Sequence, residues 1–160
     1  MAQFSDLSLK YQLLLKAYRW RRIDPVPFSP LAKPLSECRV GLVTSAGLVP
    51  PGQELFDETI RGGDPSFREI PGTVVVSTLV ESHRSDAFDH SGVAADRNLA
   101  FPLDRFRERV AQGRVGSLAD THYSFMGSLT SVGRLVRDMA PEIARRLKAQ
   151  NVEAAFLVPV

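Results

Sequence analysis

The apolar positions of this 160-residue chain change their spacing several times, and each change marks a new element. Leu7, Tyr11, Leu14, Leu15 and Tyr18 recur at helical intervals behind Ser5 or Asp6 as caps, which predicts a helix ending near Arg22. Pro25, Pro27, Pro30 and Pro34 then remove backbone donors and predict an extended connector. The apolar run Cys38-Arg39-Val40-Gly41-Leu42-Val43-Thr44-Ser45, closed by Ala46-Gly47, predicts a buried strand and a tight turn. Residues 73–80, rich in β-branched side chains, carry the clearest strand signal in the chain. Between them lies a long loop containing Pro50-Pro51-Gly52 and Gly62-Gly63-Asp64-Pro65, of the kind that is usually functional.

Further on, Pro102 opens a short helix with Leu103, Phe106 and Val110 on one face and Gly113 as its stop. Leu135, Met139, Ile143 and Leu147 mark a longer amphipathic helix over residues 129–150, which Pro141 kinks or divides. Residues 154–160 read as a final apolar strand. Helices alternating with continuous apolar strands predict an α/β fold, a mainly parallel sheet with flanking helices. The final strand is apolar on both faces, so it needs cover on both, and ligands of open α/β sheets sit just beyond strand carboxyl ends. The expectation is an incomplete three-layer domain over residues 39–160, preceded by a helix and Pro-rich connector over residues 1–38.

Composition narrows the class without naming it. With 44% hydrophobic and 24% charged residues the chain is neither disordered nor collagen-like. Its formal net charge of +2 is too small to advertise a nucleic-acid partner. The charge is uneven: residues 41–100 hold four Lys and Arg against nine Asp and Glu, whereas both flanking segments are basic. No run of about 18 apolar residues suggests a membrane span. A single cysteine, Cys38, forms no internal disulfide, and together these features predict a cytoplasmic protein with no structural metal.

Several polar clusters are candidates for chemistry. His83 and His90, with Asp86 and Asp89, follow the second predicted strand and suit metal ligation or acid/base work, although a solvated acidic loop is the simpler reading. His122 precedes the long helix, where Ser124 or Ser128 could join it in binding an anion; equally, Phe125 and Met126 pack under the helix while Ser128 or Thr130 caps it. Asp64 and Arg68 flank a turn and either grip a substrate carboxylate or pair with one another. Cys38, at the start of a buried strand, reads as a small core residue.

Four segments carry a resemblance when taken in order: Gly41-Leu42-Val43-Thr44-Ser45-Ala46-Gly47-Leu48, Gly62-Gly63-Asp64-Pro65-Ser66-Phe67-Arg68-Glu69-Ile70-Pro71, Asn98-Leu99-Ala100-Phe101-Pro102-Leu103-Asp104-Arg105 and His122-Tyr123-Ser124-Phe125-Met126-Gly127. Together they resemble the amino-terminal half of the selenoprotein B subunits of glycine, sarcosine, betaine and D-proline reductases. The second and fourth segments are the specific ones, and His83 matches a histidine after the second strand of that family.

The resemblance implies that a strand like residues 152–160 leads directly into a reactive selenocysteine, or a cysteine in some relatives. Selenocysteine is encoded by UGA, so the expectation is that the chain stops at Val160 because that codon was read as a stop. It implies reductive cleavage of a bond alpha to a carboxylate, with electrons from a thioredoxin-like dithiol and with other reductase subunits as partners, a pyruvoyl protein among them in the family. Thr44, Ser45, Asp64, Arg68, His83 and His122 are then candidates for lining a cleft that takes a small carboxylate, with no cofactor in this chain and no activity from it alone. The alternative is a non-catalytic small α/β domain that dimerises or binds a partner through the apolar edge of the final strand.

Overall fold

A computed structural model describes residues 5, 8–18, 22–85, 88 and 90–160. The chain divides into two compact units, Met1–Pro30 and Leu31–Val160. The first holds helix α1, Leu9–Ala17, shorter than the predicted span. Tyr11 and Tyr18 of the apolar stripe are exposed, and residues 19–21 of the predicted span lie outside the described residues. Leu7 and the candidate cap Asp6 lie outside the described residues. Residues 22–34 carry no helix or strand, in keeping with their prolines.

The second unit is built on strand β1, Arg39–Thr44, which forms where the apolar run predicts it. On one side β1 pairs in parallel along its length with β7, Ala154–Val158, from Val40 opposite Ala154 to Thr44 opposite Val158. On its other side it pairs in parallel with β5, Ser117–Leu118, and then with β6, Thr121–Phe125. An antiparallel strand β3, Phe67–Pro71, closes that side against β6. The result is the α/β architecture read from the sequence, a mostly parallel sheet with β1 at its centre.

Both faces of β1 are covered because its apolar residues run without alternation. Val40 and Leu42 cluster with Ile70, Leu79, Phe101 and Leu103 beneath α2, His90–Ala95, and α3, Leu103–Ala111. Val43 and Tyr123 cluster instead with Met139, Ile143 and Leu147 of the opposite helical layer. Each large aliphatic side chain so buried contributes about 1.5–3 kcal/mol, which makes these two clusters the source of cohesion.

That opposite layer begins with a wide π-helical turn, Leu135–Met139, and continues as α4, Ala140–Ala149. Pro141 lies in the first turn of α4, and the chain stays helical through it from residue 133 to 149, so of the kink or break read from that proline no break into two helices forms; the irregularity is the π-helical stretch that precedes it. Residues 129–131 do not join the helix, contrary to expectation, because the amides of Thr130 and Ser131 donate to the Gly62 carbonyl.

Residues 73–80 are not the strand their composition predicts. Val76–Thr78 form a 3-10 turn, and only Val80–Glu81, here β4, is extended, pairing antiparallel with β2, Leu48–Val49. Val76 and Leu79, three apart, enter the core while Val75 is 63% exposed, a period of three where a strand needs two. The Arg107 guanidinium also takes the carbonyls of Gly72 and Val74, each at 2.8 Å, that a neighbouring strand would have used. Tertiary hydrogen bonding thus overrides β-propensity.

Strand β7 has a partner on one side only among the described residues. Phe156 and Leu157 point to opposite faces and both are exposed, Leu157 at 66%. On the α4 side an apolar cavity of about 440 Å³ runs between Val43, Leu135, Ile143, Leu147, Ala155 and Leu157. Among the described residues no helix is long and apolar enough to cross a membrane.

Candidate active-site cleft

Parallel strands deliver their carboxyl ends to one side of the sheet, and there β1, β6 and β7 meet. Thr44, fully buried, donates from Oγ1 to the Ala100 carbonyl at 2.7 Å and accepts from the Ala46 amide at 3.1 Å, which turns the chain sharply out of β1. Ser45 then joins all three strand ends. Its amide donates to the Val158 carbonyl at 3.1 Å, its carbonyl accepts from the Gly127 amide at 2.7 Å, and its Oγ accepts from the Val160 amide at 2.9 Å.

Two glycines permit this junction. A Cβ on Gly127 would lie 2.9–3.1 Å from Ser45 atoms, too close for any other residue. Gly47 has φ +65°, and a side chain there would run into the Ser82 carbonyl. The Ser82 amide donates to the Gly47 carbonyl at 2.9 Å, so the same turn carries the following residue, His83, to the strand ends.

His83 is 8% exposed and stacks on Phe88 with ring centroids 4.6 Å apart. Its Nδ1 accepts from the Ser85 amide at 3.3 Å, which leaves the proton of the neutral ring on Nε2. Nε2 has no hydrogen-bond partner. Burial lowers the imidazole pKa; Glu81 opposes that shift, while His90 and Arg84 reinforce it. His83, Phe88, Gly127, Ser128 and Val160 line a cleft of about 180 Å³.

The remaining sequence candidates divide. Asp64 and Arg68 form the internal arrangement that was one of the two sequence readings. Arg68 donates to the carbonyls of Glu54, Leu55 and Phe67 and to Ser66 Oγ, and it stacks 4.2 Å over Phe56. Burial pushes the Asp64 carboxyl up, but hydrogen bonds from Ser66 and Asp57, with Arg68 nearby, hold it below the ordinary range. His122 lies at 0% exposure in the interior rather than on the cleft wall. Its Nδ1 accepts from the Leu42 amide at 3.1 Å, standing in for a strand carbonyl where β1 passes from β5 to β6, and burial drives its pKa to about 4.

His90 pairs with the Glu81 carboxylate, and Asp86 and Asp89 lie outside the described residues. Among the described residues no three His, Cys, Asp or Glu side chains are grouped to hold a metal. Cys38 is buried at the amino end of β1, away from the cleft.

Two residues of this region escape sequence reasoning. Arg84 donates to the carbonyls of Glu58, Ile60 and Ser128, tying the long loop to the cleft rim. Phe88 packs the His83 ring in place. No spacing marks either one; their adjacency to His83 is the only signal.

Comparison with known proteins shows the family. A family model described as glycine/sarcosine/betaine reductase selenoprotein B matches residues 9–159. The chain is 35% identical over 136 residues to the D-proline reductase subunit gamma of Acetoanaerobium sticklandii, covering 84% of this chain and 54% of that subunit. It is 31% identical to the glycine reductase complex component B subunit gamma of Carboxydothermus hydrogenoformans, over 84% of this chain and 31% of that subunit. It is 30% identical to the sarcosine reductase complex component B subunit beta of Peptoclostridium acidaminophilum, over 84% and 30% respectively. The chain therefore spans about half the length of the first of these relatives and about a third of the others. No solved structure matches it. With a family model covering nearly the whole chain and relatives named for four such reductases, the chain belongs to the glycine/sarcosine/betaine reductase selenoprotein B family.

Proposed function

We propose that this chain is the amino-terminal part of a reductase subunit whose reactive selenocysteine or cysteine follows Val160. The reaction is reductive cleavage of a bond alpha to the carboxylate of a small substrate, with electrons from a thioredoxin-like dithiol. A selenolate supplies a nucleophile ionised at neutral pH, where an ordinary thiol of pKa about 8.5 is mostly protonated. The observation that carries this reading is the position of Val160, held by Ser45 in the wall of the cleft that His83 also lines. A buried donor without a partner suits an anion there. The exposed faces of β7 and the apolar cavity beside α4 support a further segment packed against them, and the relatives are longer than the matched region. Other subunits of a reductase complex are the natural partners, as the relatives' names suggest, and the 160 residues alone are inactive.

The nucleotide sequence after the Val160 codon tests this directly. A UGA followed by an open frame is expected, and a UAA or UAG without continuation overturns it. The longer product should reduce one of glycine, sarcosine, betaine or D-proline when supplied with a dithiol and its partner subunits. The edge of β7 that has no partner among the described residues favours one competing reading, a small domain that dimerises edge to edge. A stable dimer of the 160-residue chain that persists in the longer product would support that alternative.

A further inference from the structure

The four buried side-chain nitrogen and oxygen atoms without partners among the described residues belong to Arg39, His83, His122 and Ser124. Of these residues only His83 lines the cleft that Val160 also lines. Val160 is fixed at its amide by Ser45 Oγ and itself lines the cleft, and a residue bonded to it has its Cα about 3.8 Å from that of Val160. We propose that His83 donates a hydrogen bond from Nε2–H to the anionic sulfur or selenium of the residue that follows Val160. This inference rests on the function proposed above and adds to it the group that holds the reactive anion.

The geometry specifies a neutral donor. Nδ1 is occupied as an acceptor by the Ser85 amide, so a second ring proton would break that bond. Among the described residues the charged and titratable groups acting on the ring are Glu81, His90 and Arg84; burial, reinforced by His90 and Arg84, outweighs the opposing pull of Glu81 and favours the neutral imidazole. Arg84 is committed to three carbonyls and lies at the rim. The anion is therefore stabilised by a hydrogen bond, and the cleft does not form the imidazolium–thiolate pair that other cysteine enzymes use. Phe88 fixes the ring plane by stacking.

The test uses the full-length subunit with cysteine at position 161 and reads the pH dependence of iodoacetamide alkylation at that cysteine by mass spectrometry. The expected midpoint lies below 8.5, the ordinary thiol value. His83→Ala should raise it by about one to two pH units, the size of one hydrogen bond to an anion, and His83→Gln, which keeps an amide donor, should restore part of the shift. Ring-nitrogen NMR of the unsubstituted subunit covers the case in which His83→Ala does not fold: Nε2 should be protonated at pH 7 and its signal should move when the cysteine is alkylated.

An unmoved midpoint in a folded His83→Ala variant overturns the proposal. So does a variant that loses substrate affinity while its thiol midpoint is unchanged, because the anion would then be the substrate carboxylate. Failure of the underlying reading is a separate result, the absence of any cysteine or selenocysteine codon in frame after Val160.

Discussion

Ser45 holds Val160 through one hydroxyl: Oγ accepts from the Val160 amide at 2.9 Å and donates to its carbonyl at 3.4 Å. The two residues come from strand ends 115 positions apart, so the bond is long-range and closes the junction of β1 with β7. A serine directly after a buried strand thereby sets the exit direction of the chain at the cleft.

Ser45→Ala should remove this anchor at a cost of about 0.5–1.5 kcal/mol, since the amide it leaves is only partly buried and water reaches it. Thermal unfolding should shift downward by a few degrees. Hydrogen exchange at the Val160 amide should accelerate more than at any amide of β1. Unchanged exchange at Val160 would mean that the hydroxyl is incidental.

Arg107 controls a different local choice. Its guanidinium donates to the Gly72 and Val74 carbonyls at 2.8 Å and to Asp104 Oδ1 at 2.6 Å, which pins the turn before Val76. Arg107→Met keeps most of the packing length and loses these bonds, and it should cost about 2 kcal/mol. Amide exchange should rise selectively over residues 73–79. A uniform rise across the sheet would contradict this local role.

This arginine also explains what the sequence conceals. Strands β1 and β7 are legible because their apolar runs are long enough to specify burial on both faces, and Pro141 marks where the last helix passes from its π-helical stretch into regular α-helix because a missing amide acts wherever it falls. Residues 73–80 mislead because β-branched composition is a local property, whereas the carbonyl acceptors are claimed by a side chain more than 30 positions away. Strand β6 is hidden for the converse reason: two of its three buried positions are the polar His122 and Ser124, and His122 is accommodated only through the Leu42 amide and the Phe101 ring, contacts that the fold creates. In the site, Ser45 and His83 are recognisable by lying just past apolar runs. Arg84 and Phe88 act only through contacts that the fold creates.

Leu157, on β7, whose outer edge has no partner among the described residues, should respond differently in the short and long proteins. In the 160-residue chain it is largely exposed, so Leu157→Lys should change stability by no more than about 0.5 kcal/mol and should lower binding of a hydrophobic dye. If the longer subunit covers this face as proposed, the same substitution should cost it about 2–3 kcal/mol, the loss expected for burying a charge where an aliphatic side chain packed. Denaturant unfolding of both lengths provides the comparison. Equal effects in the two proteins would show that the face stays uncovered.

His122 gives the fold a pH dependence with a definite sign. Burial holds its folded-state pKa at about 4, with Arg107 reinforcing the shift and Asp120 opposing it, whereas an unfolded histidine titrates near 6.5. The folded state therefore prefers the neutral ring, and its contribution to stability is fully present above pH 6.5. As the pH falls below that value the unfolded chain binds a proton that the folded chain refuses, so stability declines until about pH 4 and then levels off. The difference corresponds to about 3 kcal/mol across this window. His122→Gln removes the titrating ring, so its unfolding free energy should fall by about 3 kcal/mol less than that of the unsubstituted chain between pH 7 and pH 4, whatever its absolute stability. Denaturant melts at half-unit pH steps measure the two slopes. Parallel curves would place the acid sensitivity of this domain in its carboxylates, with His122 contributing nothing.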